Sequence, residues 1–176
     1  MVELGVVKLR PDATMPSKST LGAACFDVYA NFVGDSHKVF NTLNHELEVT
    51  IKRDNGVNLL PGFRTLVPTG VSLVIPEGYC VEVYPRSGNA IKMGITLINN
   101  VGIIDSDYSG ELMVPIVNMT HTDILIESGM KIAQFKLVKL EDVKVLEQTM
   151  DELTRHVSNS NRKFGTAGGF GSTGTK

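Results

Sequence analysis

The sequence predicts an all-β domain, and three observations predict it. Apolar residues recur in short runs that alternate as strands do, Gly and Pro punctuate those runs at close intervals, and almost no stretch carries helical spacing. At 176 residues and 42% hydrophobic content the chain is long enough for one domain with a real core. Its 17 basic and 19 acidic residues leave a formal charge of −2. That charge exerts no long-range pull on nucleic acid or acidic lipid, so no stable nucleic-acid binding is expected, and any phosphate must be met by a few well-placed groups. No apolar run reaches the ~18 residues of a membrane span. The start, Met1-Val2-Glu3-Leu4-Gly5, lacks the basic and apolar regions of a secretion signal, so a soluble, cytoplasmic protein with no membrane attachment is expected.

Val2 to Leu9 is a short β-like run, followed by a polar loop from Pro11 to Ser19. Leu21 to Ala30 passes from small residues into alternation, with Asp27 its lone charge. Asp27 has two readings: a solvent-facing residue of a half-exposed strand, or a buried partner for a cation elsewhere, since an unpaired buried acid is costly. Residues 31–58 are more polar and read as a peripheral excursion, in which Leu47 to Ile51 precede an Asp54-Asn55-Gly56 turn that suggests a hairpin. From Leu59 to Pro76, Pro61-Gly62, Pro68 and Gly70 break the chain into the closely spaced strands of a sandwich or barrel.

Gly78 to Tyr84 alternates well and delivers the chain to Pro85-Arg86-Ser87-Gly88-Asn89-Ala90. A strand that stops at Pro and then presents Arg, Ser and Gly offers a cation, a hydroxyl and backbone N–H groups, which suits phosphate. The structural alternative is an ordinary helix start capped by Ser87. Ile95 to Ile98 ends in two amides, Asn99 and Asn100.

Next comes Gly102-Ile103-Ile104-Asp105-Ser106-Asp107-Tyr108-Ser109-Gly110-Glu111-Leu112, in which Ile103 and Ile104 read as a strand running into the core. Asp107 reads as a turn residue bonded to nearby backbone. Asp105 has that reading too, beside a second one in which a partly buried carboxylate orients a water or takes its proton. In Gly129 to Phe135, Lys131 and Gln134 interrupt an apolar strand; Lys131 can extend to solvent, whereas a buried Gln134 needs partners.

Residues 141–156 mix helical spacing at Val145, Leu146, Met150 and Leu153 with a β-rich Val143-Lys144-Val145, so the type of this segment stays open. Residues 157–176 are rich in Gly, carry Arg162-Lys163, and hold Phe164 and Phe170. Such an arm buries too little to order itself, but an aromatic within it suits stacking on a planar base once ligand arrives. Cys25 and Cys80 sit in apolar runs without metal-site spacing and read as small buried hydrophobes. His37, His45, His121 and His156 are scattered among polar neighbours and read as surface residues.

Five blocks, Ala23 to Ala30, Pro85 to Ala90, Gly102 to Leu112, Gly129 to Phe135 and Gly168 to Gly174, together resemble the trimeric deoxyuridine triphosphate nucleotidohydrolases, or dUTPases. They cover about a quarter of the chain in the family's order, and PRSG, GIIDSDYSGEL and GGFGSTG are specific to it. The resemblance implies a distorted jelly-roll subunit over residues 1–156 with one short helix, a flexible arm at 157–176 that closes over the active site, and a homotrimer with shared active sites. It implies hydrolysis of dUTP to dUMP and pyrophosphate with Mg²⁺ held mainly by substrate phosphates and water, which limits uracil incorporation into DNA and supplies dUMP for dTMP synthesis. Asp105 would position the attacking water. Arg86, Ser87, Gly88, Gln134, Ser172 and Thr173 would meet phosphates. Asn99, Gly102, Ile104, Tyr108 and Phe170 would take uracil and deoxyribose, with Asp27, Lys131 and Arg162 in support.

Three departures from the family pattern stand out. Gly165 lies where the family has an arm Arg, with Arg162 and Lys163 nearby; Lys131 replaces an Arg and loses its bidentate fork; and the excursion at 31–58 is long. Two rivals remain: a dCTP deaminase, similar in fold and assembly, and a non-catalytic β trimer that binds nucleotide or a protein.

Overall fold

The computed structural model describes residues 2–51 and 56–158. Residues 1–141 form one compact unit built almost wholly of antiparallel strands. In its four-stranded sheet, β8 (Tyr79–Tyr84) pairs on one side with β10 (Gly102–Ile104) and on the other with β13 (Lys131–Lys139). The far edge of β13 takes β2 (Phe26–Tyr29). A five-stranded sheet runs in the order β4 (Glu46–Thr50), β3 (Ser36–Phe40), β6 (Arg64–Pro68), β11 (Met113–Asn118) and β9 (Ile95–Leu97). Two smaller ribbons pair β1 (Gly5–Lys8) with β7 (Val71–Val74), and β5 (Gly56–Leu59) with β12 (Ile124–Glu127).

The core is the inward set of these strands, including Val28, Val39, Val81, Ile116, Ile126 and Phe135, with Phe32 of the β2–β3 loop among them, all fully buried. Each such side chain contributes roughly 1.5–3 kcal/mol on leaving water. Phe26 stacks on Phe135 at 5.5 Å between ring centroids, joining β2 to β13 at the end of the sheet that carries Asp27 and Gln134.

Several expectations change. Ile103 is half exposed while Gly102 is buried, so the β10 face toward the core begins with the glycine rather than the isoleucine. Packing is close there: a Cβ on Gly102 would lie 3.4 Å from the Val83 Cβ. The strands on either side of 52–55 do not pair with each other: β4 pairs with β3 and β5 pairs with β12. The excursion instead folds back through a turn after Asn41, whose side chain accepts from the N–H groups of Leu43 and His45, with Asn44 at φ 65°. Residues 52–55, and with them Asp54-Asn55, lie outside the described residues. Cys25 is half-buried rather than buried. His37 is no surface residue: its Nε2 lies 2.8 Å from the Thr65 hydroxyl and its ring meets Phe32 edge-on.

Among the described residues two short helices stand where one was expected. The first, α1 (Ser87–Met93), ends at Gly94 with φ 66°, where a Cβ would fall 2.2 Å from Thr120 Cγ2, so both conformation and space demand glycine. The second, α2 (Met150–Ser158), lies in a separate unit that begins at Asp142. It starts with a reciprocal cap: Glu152 accepts from the Thr149 N–H at 2.7 Å, and Thr149 Oγ1 accepts from the Glu152 N–H at 3.3 Å. Thr149-Met150-Asp151-Glu152 is the capping-box pattern, a signal that sequence reasoning missed in leaving the type of 141–156 open.

Candidate functional site

Proline ends β8 because it lacks an N–H for the ladder. Arg86 follows in extended conformation (φ −97°, ψ 131°) and α1 begins at Ser87, so Arg86 rather than Ser87 occupies the cap position, and it makes no side-chain cap bond. The first intrahelical bond runs from Ala90 N–H to the Arg86 carbonyl. Helix geometry therefore leaves the N–H groups of Ser87, Gly88 and Asn89 without intrahelical acceptors.

On β13, Gln134 lies opposite Asp27 of β2 and Tyr84 of β8, and opposed residues share a face. Lys131 is three residues from Gln134 and in a regular strand would face the other way. A bulge between Lys131 and Ala133 inserts one residue against β2, so Lys131 pairs with Tyr29 and turns to the Asp27 side.

Asp27 is 6% exposed and carries three partners. Arg86 Nε donates to Oδ1 at 2.9 Å, while Lys131 Nζ at 2.7 Å and the Ser19 hydroxyl at 2.6 Å donate to Oδ2. Lys131 also donates to Ser19 at 2.9 Å. Burial alone raises the carboxyl's pKa, but the bonds from Lys131 and Ser19 and the charges of Arg86 and Lys131 outweigh it and hold Asp27 below the usual carboxylate range. Arg86 Nη1 donates to the Lys131 carbonyl at 3.3 Å, so the guanidinium is held at Nε and Nη1 while no described residue accepts from Nη2, which can meet an anion. Asn89 Nδ2, bonded to the same carbonyl at 2.8 Å, ties α1 to β13, and Gln134 Nε2 donates to the Pro85 carbonyl at 3.0 Å. Asp27, Arg86, Ser87, Gly88 and Gln134 line one cleft of about 430 Å³, with Ser19, Ala23, Ala24 and Cys25 as its other wall.

A second cleft, of about 320 Å³, holds Asn99, Ile104, Asp105 and Tyr108 above Leu66, Met113 and Pro115. Asp105 follows β10 directly and is exposed rather than partly buried; no described residue donates to its carboxylate. Tyr108 N–H closes the turn onto the Asp105 carbonyl at 3.2 Å, and the phenol donates to the Glu111 carbonyl at 2.8 Å. Asn100 at φ 60° makes the bend that presents Asn99 at this cleft, with Gly102 packed beneath. Cys80 is no nucleophile here: burial, then the carboxylates of Glu82 and Asp105, push its thiol pKa up.

The two clefts share no lining residue. Within one chain the structure thus brings Asp27, Arg86, Ser87, Gly88, Lys131 and Gln134 together, and separately Asn99, Gly102, Ile104, Asp105 and Tyr108. Arg162, Phe170, Ser172 and Thr173 lie outside the described residues. Among the described residues no group of three His, Cys, Asp or Glu side chains is arranged to hold a metal ion. Sequence reasoning missed Ser19, a loop serine with no distinguishing neighbour, and the Arg10–Glu111 pair, separated by 101 residues.

The dUTPase family model matches residues 47–174. The deoxyuridine 5'-triphosphate nucleotidohydrolase of Brucella melitensis is 40% identical over 163 residues, covering 93% of this chain and 98% of that protein. Among solved structures, the dUTPase from Streptococcus mutans superposes with a TM-score of 0.62 at 25% identity, over 80% of this chain and 99% of that one. A variant dUTPase from phage phi11 of S. aureus, described for its coordination of a structural Mg(II) ion, shares the fold with a TM-score of 0.64 at 21% identity, over 85% and 99%.

Proposed function

This chain belongs to the dUTPase family, and from that premise we propose that it hydrolyses dUTP to dUMP and pyrophosphate, a reaction that limits uracil incorporation into DNA and supplies dUMP for dTMP synthesis. The observation that carries the reading is the second cleft, where a carboxylate that accepts from no described residue, an amide side chain and a phenol held at its tip surround one space. Asp105 positions the water that attacks the α-phosphorus and accepts its proton. Asn99 and the backbone from Gly102 to Ile104 read uracil, and Tyr108 packs on the deoxyribose where a 2′-hydroxyl would need room. Arg86, Ser87, Gly88 and Gln134 meet the phosphates, and Phe170, Ser172 and Thr173 of the arm cover the bound nucleotide.

The phosphate-type groups and Asp105 line clefts with no residue in common, which supports a homotrimer whose shared sites draw one cleft from each of two copies. Mg²⁺ would be held mainly by the triphosphate oxygens and water, where it would offset charge on the leaving pyrophosphate.

The test is pyrophosphate release with Mg²⁺ from dUTP, dTTP, dCTP and UTP, with ammonia followed in parallel. Release confined to dUTP is expected; ammonia from dCTP with dUTP untouched would replace the reading with deamination. Deleting residues 165–176 is expected to spare folding and to reduce kcat/KM by about 10²-fold or more, the scale of lost substrate positioning. Full activity without the arm would contradict its covering role.

A further inference from the structure

The stretch from Asp105 to Glu111 is anchored chiefly at its far end. Arg10 grips the Glu111 carboxylate with both prongs, Nη2 to Oε1 at 2.5 Å and Nη1 to Oε2 at 3.1 Å. The Gly70 N–H donates to Oε1 as well, at 2.6 Å. The rest of the Arg10 guanidinium is held by Asn31, through Nε to Oδ1 at 2.6 Å and Nη2 to the carbonyl at 3.2 Å, and Asn31 in turn donates to Asp12. Gly70, at φ 71°, has no room for a side chain: a Cβ would lie 2.4 Å from Asn31 Oδ1. Here the loop after β1, the end of β2 and the turn between β6 and β7 converge on one carboxylate.

Tyr108 depends on that carboxylate's residue. Its side chain is 44% exposed, so packing alone leaves its rotamer loosely fixed. Its phenol lies over Gly110, where a Cβ would fall 2.6 Å from the hydroxyl oxygen, and its tip is bonded to the Glu111 carbonyl. Ser72 holds the Ser109 and Gly110 carbonyls at 3.2 and 2.9 Å, and Leu112 N–H bonds the Val71 carbonyl, so the backbone on both sides is set while the phenol's direction is set by Glu111.

We propose that Arg10 is a positioning residue for sugar selection: by clamping Glu111 it fixes the Tyr108 phenol as the wall that admits a deoxyribose and rejects a ribose. The inference rests on the proposed dUTP hydrolysis and on Tyr108 as the sugar contact. A wall excludes one extra hydroxyl only while it stays within a fraction of an ångström of its place. Lysine at position 10 keeps the charge but cannot bridge two carboxylate oxygens and Asn31 at once.

The experiment measures kcat/KM for dUTP and for UTP with Mg²⁺ in the native protein, Arg10→Lys, Glu111→Gln and the double variant, with Ile126→Val as a destabilised control away from the clamp. Each clamp variant is expected to lower the dUTP-to-UTP ratio about tenfold, chiefly by improving UTP, a coupling of ordinary size for a residue one contact removed. The double variant is expected to lose no more than a single one, because both break the same contact. Ile126→Val lowers Tm and leaves the ratio alone. Clamp variants that lose Tm but keep the native ratio would overturn the inference and leave a purely structural pair. A native protein that turns over neither triphosphate overturns the proposed activity and, with it, the role given to Arg10.

Discussion

Asp105→Asn leaves folding and dUTP binding intact and lowers kcat by about 10²- to 10⁴-fold, the range of a positioned general base. The carboxylate is exposed and accepts from no described residue, so the fold draws nothing from it. An amide is isosteric, yet it offers water one acceptor in place of two and cannot take a proton. Calorimetric binding of a non-hydrolysable dUTP analogue, beside single-turnover pyrophosphate release, separates the two effects. Native turnover would remove Asp105 from the reaction, and lost binding would recast it as a substrate anchor.

Asp27→Ala is the variant expected to hurt stability most. It strips the shared acceptor from Arg86 and Lys131 and leaves two cations side by side. For fully buried pairs such a loss costs about 3–5 kcal/mol. Arg86 and Lys131 keep 28% and 35% of their side-chain surface in water, so about 2–3 kcal/mol is expected after solvent screening. Urea unfolding reads this directly, and KM for dUTP should rise as the Arg86 fork loses its fixed edge. A change below about 0.5 kcal/mol, the scatter of ordinary surface substitutions, would show the network to be ornamental. The same carboxylate sets an acid limit. Its pKa is lower folded than unfolded, so its contribution is complete above the ordinary carboxylate pKa and is lost as pH falls through the depressed value. Glu111, burial being outweighed by the bonds from Arg10 and Gly70, behaves with the same sign. Native protein should therefore lose stability on acidification below about pH 5, and Asp27→Ala should show a shallower loss.

Much of this was legible in the sequence. Strand alternation and Gly-Pro punctuation report local backbone preference, which is why Tyr79 to Tyr84 and Lys131 to Lys139 could be read as strands. The motif residues could be named because their types match the chemistry. Pairing between distant strands is another matter: nothing local to Leu47-Ile51 says that its partner is Ser36–Phe40 rather than the segment after 56. Nor does any local pattern join Arg10 to Glu111 or Ser19 to Asp27, since each pair exists only once the sheets have formed. The reading of Asp105 as a partly buried acid rests on the two isoleucines before it; alternation turns Ile103 outward and leaves the acid open.

The bulge at Lys131 also bears on how the chain tolerates changes in length. β13 takes part in two ladders, regular with β8 from Gln134 to Lys139 and shifted by one residue with β2 between Lys131 and Ala133. Removing a single residue between 131 and 133 would take out the bulge's extra residue and leave Lys131 two residues before Gln134, on the same face of a regular strand and still beside Asp27. Lineages of this protein should accordingly keep Lys131 facing Asp27 whether this strand is bulged or one residue shorter, and accept insertions and deletions at the tip of the β3–β4 hairpin, where residues 41–45 line neither cleft.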